Sequence, residues 1–158
     1  MKHTTHAYCA IVVYIALALF TYQAKCENSK ITAEISCGEL IDKITILNIK
    51  AEHIADPEKL KNVRTELETL QNTCDEYIRE YEAIAGLQEK LQEINQALWD
   101  IEDAIRVKER KKEFDDEFIQ IARSVYITND KRCMIKKEID KILGSRLTEE
   151  KSYEEFAN

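Results

Sequence analysis

The stretch PEKLKNVRTELETLQNTCDEYIREYEAIAGLQEKLQEINQALWDIEDAI, residues 57–105, decides the fold. Leu60, Val63, Leu67, Leu70, Cys74, Tyr77, Tyr81 and Ile84 follow one another at alternating spacings of 3 and 4. That is the period of one apolar face on an α-helix. At Ala85-Gly86 the phase slips, and the alternation resumes through Leu87, Leu91, Ile94, Leu98, Ile101 and Ile105. A slip at a glycine predicts a tight reversal between two antiparallel helices.

Outward from this core the pattern stays helical. Asp56-Pro57 reads as an N-cap followed by proline at the first helical position. Upstream, Ile31–Ile35 alternates weakly, and Ser36-Cys37-Gly38-Glu39 is a capping box in which Ser and Glu each satisfy the other's backbone N–H. The helix it opens carries Leu40, Ile44, Leu47, Ala51 and Ile54 on one face and Ile41, Ile46 and Ile49 off it. A helix apolar nearly all round is buried on most sides, so it should be the centre of the domain. Downstream, Asp115-Asp116-Glu117 suit the positive end of a helix dipole, and Gly144 suits a C-cap. The expectation is an all-α, four-helix antiparallel bundle with helices at about 37–55, 58–85, 87–113 and 116–143. The second and third should form a long coiled-coil-like hairpin. The domain should occupy residues 31–155, with Tyr153 and Phe156 pinning its tail.

Composition agrees. The 158 residues include 3 Gly and 1 Pro, too few for the turns of an all-β fold. The glycines lie too far apart for a phosphate-binding loop. Residues 1–24 hold one charged side chain, Lys2, so 22 of the 23 basic and all 30 acidic side chains lie beyond them, a net charge of −8. Nucleic acid and anionic membrane surfaces both need cationic neutralisation, so neither is an expected partner. A protein partner or self-association through helices fits better, with no stable membrane contact beyond residues 1–24. The basic run from Arg106 to Lys112 reads as a solvated helix end whose cations complement the dipole.

Residues 1–24 read as an export signal, with the apolar run Ala7–Phe20 in the range of a signal peptide's core and short of a bilayer span. The expectation is a periplasmic or secreted protein. The alternatives are an anchor through residues 7–22, or a cytoplasmic protein whose start codon lies further along. Removal of the leader discards Cys9 and leaves Cys26, Cys37, Cys74 and Cys133, enough for two disulfides in any of three pairings. Against that, Cys74 and Cys133 fall on or near apolar seams, where free cysteine behaves as a small hydrophobe.

Catalytic and metal constellations are sparse. Beyond the leader only His53 remains, and there is no CxxC, so neither a metal site nor a cofactor is expected. His53 lies about 24 Å along the helix from Cys37, too far for a Cys–His pair. One polar cluster stands out. Asn129, Arg132 and Lys136 continue the inward stripe of the last helix, with Tyr126 beside it. The first helix has a matching side in Thr45, Asn48 and Glu52, with Glu39 and Asp42 near its start. Buried charges are tolerated when paired, so the cluster is either a network fixing helix register or a site for a small anionic or polar ligand. A non-catalytic interaction or structural module is the first reading, and a ligand-binding or catalytic bundle the second.

Gly38-Glu39-Leu40-Ile41-Asp42-Lys43-Ile44-Thr45-Ile46-Leu47, Phe114-Asp115-Asp116-Glu117-Phe118 through the run Ala122-Arg123-Ser124-Val125-Tyr126 with Thr128-Asn129-Asp130 and Arg132, and the closing Gly144-Ser145 and Glu149–Tyr153 together resemble a small bacterial domain-of-unknown-function family over about residues 31–155. That resemblance implies the helical fold and a bacterial origin but no reaction. The GELIDKITIL opening also distantly resembles the first helix of all-helical chorismate mutases, which implies arginines binding a dicarboxylate, one of them on that helix. Here Cys37–Ala55 holds only Lys43 and Lys50 among long cations.

Overall fold

The structure is a computed structural model and describes residues 31–152. The leader, Cys9, Cys26, Tyr153 and Phe156, on which several expectations fall, lie outside the described residues. Four α-helices follow in order: α1 Cys37–His53, α2 Pro57–Tyr77, α3 Ala85–Lys111 and α4 Asp116–Ile142, with a 3-10 turn at Tyr81–Ile84 before α3. There is no strand among the described residues, and Ile31–Ile35 has no regular structure. Nor is any described helix long and apolar enough to cross a membrane.

The helix starts are set by side-chain caps. Ser36 accepts from the Glu39 N–H, Asp56 from that of Lys59, and Asp115 from that of Phe118. Each satisfies one of the amides a first turn leaves open. Two ends turn through the left-handed region. Lys112 closes α3 at φ 60°, and Gly144 follows α4 at φ 62°. At the latter the Ser145 N–H reaches back to the Asp140 carbonyl at 2.8 Å, as a glycine C-cap allows.

α1 is central. It packs against α2, α3 and α4, while α3 and α4 pack along each other. Ile41, Ile44, Thr45 and Ile49 are at most 1% exposed, and Leu40 and Leu47 extend the buried surface, so most of the circumference of α1 is covered and Lys43 marks its open side. Leu40, Ile41 and Ile44 meet Cys74, Ile78, Ile84, Leu87, Leu91 and Ile139 in one core. Fully burying a Leu or Ile contributes roughly 1.5–3 kcal/mol each.

Two details depart from the sequence pattern. The bundle is four-helical and antiparallel, but its long hairpin is α3–α4, because α1 lies between α2 and α3. Only a central position covers an α1 that is apolar over most of its circumference. The chain also reverses earlier than expected. α2 ends at Tyr77, residues 78–80 are non-helical, and Gly86 lies inside α3. The phase slip is real but is absorbed ahead of the glycine. Breaking the helix after Tyr77 buries both Ile78 (8% exposed) and Ile84 (0%), and leaves Tyr77 at 72% in solvent.

Cys37, Cys74 and Cys133 are free thiols. Cys74 and Cys133 are buried as small hydrophobes, and burial, with the nearby Asp75 and Cys37, pushes the Cys74 thiol pKa upward. In the basic run Arg106 pairs with Glu102, Lys112 with Glu109, and Lys108 with Glu113, Asp115 and Glu117.

Candidate functional site

The α1 N-terminus is held by the end of the chain. The Gly38 N–H donates to Asp140 Oδ1 at 2.6 Å, and the Cys37 N–H to Ser145 Oγ at 3.3 Å. A carboxylate there also meets the positive end of the helix dipole. Only half of the expected capping box is used. Ser36 caps Glu39, but the Glu39 carboxylate turns to Lys136 Nζ at 2.8 Å. A buried ammonium needs a counter-charge more than a single backbone amide needs a cap.

Lys136 is buried and lies between two carboxylates, Glu39 at 2.8 Å and Glu149 at 2.6 Å. Burial works against its charge, yet the bonds from Glu149 and Glu39 outweigh it and hold the Lys136 pKa above its ordinary value. The same bond lowers that of Glu149.

One and two turns further along α1, Asp42 and Thr45 face α3. Asn95 Nδ2 donates to Asp42 Oδ1 at 2.8 Å and to Thr45 Oγ1 at 2.9 Å, while Thr45 Oγ1 donates to the Asp42 carbonyl. Arg132 Nε approaches Asp42 Oδ1 at 3.6 Å. Asn95 is 4% exposed, and its Oδ1 is buried with no hydrogen-bond partner.

Arg132, Asn129 and Asn95 line a cavity of about 550 Å³ between α1, α3 and α4, with Ile46, Ile49, Leu98 and Trp99 among its walls. Asn129 Nδ2 donates to the Val125 carbonyl at 3.0 Å. Trp99 stacks on His53 with ring centres 5.1 Å apart.

The expected cluster is therefore divided. Glu39 with Lys136, and Asp42 with Arg132, form two successive pairs between α1 and α4. Asn129 lies with Arg132 on the cavity wall. Asn48 and Glu52 point elsewhere and line a separate groove with Tyr81, Gln88 and Gln92. Tyr126 is 39% exposed and is not on either wall. Cys37 and His53 sit at opposite ends of α1, as the spacing required. No group of three or more metal-ligating side chains occurs among the described residues.

Four participants, Asn95, Asp140, Ser145 and Glu149, escape the sequence pattern. Asn95 follows Leu91 by four and precedes Leu98 by three, so it fits the apolar seam as well as Ile94 does; its polarity hid it. Asp140 lies one turn beyond Lys136, and extending the polar stripe by that turn reaches it.

No curated protein and no solved structure matches the chain. A family model, that of a family of unknown function (DUF6165), does match, over residues 31–157. Those residues hold all of α1 to α4, and the chain belongs to that family.

Proposed function

We propose that the protein is a non-catalytic helical interaction module that pairs with a second copy of itself through the tip of the α3–α4 hairpin. The observation that carries this is a projecting arm with apolar side chains held in solvent. α1 spans about 25 Å and α3 about 40 Å at 1.5 Å per residue. His53, the last residue of α1, is level with Trp99, so Asp100–Lys111 and the start of α4 run on beyond it.

At the tip Phe114 is 56% and Ile119 50% exposed. Phe114 meets Phe118 edge to face at 5.2 Å. Lys108, paired with Glu113, Asp115 and Glu117, ties the end of α3 to the start of α4. Beside these apolar side chains, exposed Arg110 and Lys111 end α3 while exposed Asp116 and Glu117 begin α4. A twofold-related copy would bring one basic helix end onto the other's acidic one, the self-complementarity an isologous contact needs. The non-catalytic part of the reading is supported by Lys136, Asp42 and Asp140, which hold helices to one another.

Sedimentation equilibrium of the full chain tests the proposal. The expected result is a concentration-dependent dimer, reduced to monomer by Phe114→Asp with Ile119→Asp at an unchanged melting temperature. A wild-type chain that stays monomeric, or a double variant that still pairs, overturns it. We further propose that residues 1–24 direct export from a bacterial cell. The intact mass of the native protein should lack them; a full-length mass overturns that.

A further inference from the structure

We propose that the cavity between α1, α3 and α4 is a binding site for a small monocarboxylate that carries an apolar body and a hydroxyl or amino group beside the carboxylate. Three observations carry this. Arg132 presents five N–H donors, and its ion pair with Asp42 is a 3.6 Å approach of Nε to a carboxylate that already accepts from Asn95 at 2.8 Å. With its side chain 30% exposed on the cavity wall, the guanidinium fork can take a second, bidentate carboxylate.

Asn95 supplies the second observation. Its Nδ2 must face Asp42, whose carboxylate accepts, so the amide cannot be turned round. Its Oδ1 is thereby a fixed acceptor on a residue 4% exposed, with no donor partner. Asn95 lines the cavity, so a small shift of the side chains over this acceptor would let it take a hydroxyl or an N–H from whatever fills the space. The third is the apolar wall of Ile46, Ile49, Leu98 and Trp99, in a volume of about 550 Å³ that suits a small ligand. A single negative charge fits better than a phosphate dianion, because, of the other charges on the wall, Arg106 is paired with Glu102 and Asp103 adds a negative one. This site is on a different part of the molecule from the hairpin tip, so either proposal can fail without the other.

Trp99 is the sole tryptophan and lies in the cavity wall, so its fluorescence reports occupancy directly. The full chain is titrated with 2-hydroxy-4-methylpentanoate and with the corresponding neutral amide. The expected result is a saturable change with the acid and binding weaker by about tenfold or more with the amide, equivalent to losing one charge-assisted pair. Arg132→Met should weaken the acid to the level of the amide, and Lys112→Gln, at the hairpin tip, should leave it unchanged. If Arg132→Met does not fold, Arg132→Lys keeps the charge without the fork and should bind several-fold more weakly. No saturation with the acid, equal affinity for the amide, or undiminished binding by the folded Arg132 variant overturns the proposal.

Discussion

A methyl group built on Gly38 would lie 2.5 Å from the backbone carbonyl oxygen of Lys136 and 3.0 Å from its carbonyl carbon and Cα. Backbone cannot swing aside as a side-chain tip can, so α1 and α4 meet at a distance only glycine permits. Helix propensity alone would favour alanine here by about 1 kcal/mol, and the clash decides the sign. Gly38→Ala should lose about 1–3 kcal/mol, as over-packing does. Gly86 is the matched control, with nothing within 4 Å of its added Cβ and a position inside α3. Gly86→Ala should gain up to about 1 kcal/mol. Urea unfolding of the two variants checks both signs.

Asn95 separates two ways of disturbing the α1–α3 contact. Asn95→Asp places a second carboxylate against Asp42, and like charges at hydrogen-bond distance cannot both ionise cheaply. The introduced carboxyl would have its folded pKa raised, so its stability deficit grows with rising pH and shrinks toward acid. Unfolding should show a loss of about 3 kcal/mol at pH 7 and clearly less at pH 5. An equal loss at both would mean that shape, not charge, governs the contact.

The tail should release at acid pH. The Glu149 carboxyl is lowered from its ordinary 4.5 by the Lys136 bond, so it contributes stability above that value and loses it as pH falls through the lower folded value. Lys136 is raised above its ordinary 10.5, against the opposing effect of burial, so its contribution is complete below that and fades as pH rises through the folded value. Between about pH 5 and pH 10 the pair should be fully formed. Urea unfolding should find the wild type more stable than Glu149→Gln at neutral pH, with the difference shrinking as pH falls through the folded Glu149 value.

Lys108 links the two helices at the hairpin tip through Asp115 and Glu117, which raise its pKa, while the Phe118 N–H and Lys108 lower that of Asp115. Lys108→Gln should speed amide exchange at Asp115–Phe118 and leave the melting temperature of the bundle nearly unchanged. A large fall in melting temperature would show that the tip is coupled to the core.

The sequence disclosed the helices well because their signals are local. Ser36, Asp56-Pro57, Asp115 and Gly144 mark helix ends by chemistry within a turn of the end. Which helices lie side by side depends on burial summed over the whole chain, so the apolar circumference of α1 placed it at the centre while periodicity alone paired the wrong neighbours. The break after Tyr77 was hidden because Ile78 and Tyr77 offer the seam similar apolar surface. In the polar cluster the charged members were visible as anomalies on an apolar stripe. Asn95 was not, since an uncharged amide beside isoleucine carries no such contrast, and its two bonds reach a segment 50 and more residues away.

The capping of α1 has a consequence for how the protein is made. Ser36 is available as soon as α1 emerges, but Asp140 and Ser145 are separated from their α1 partners by 102 and 108 residues. During synthesis the first helix must therefore wait with its leading amides hydrated, its all-round apolar surface sheltered only by whichever partners have followed it. The domain is completed at the moment its last turn returns to its first. Loss of the final dozen residues of the described chain, which include Ser145 and Glu149, would strip a cap from the beginning of the bundle as well as fray its end.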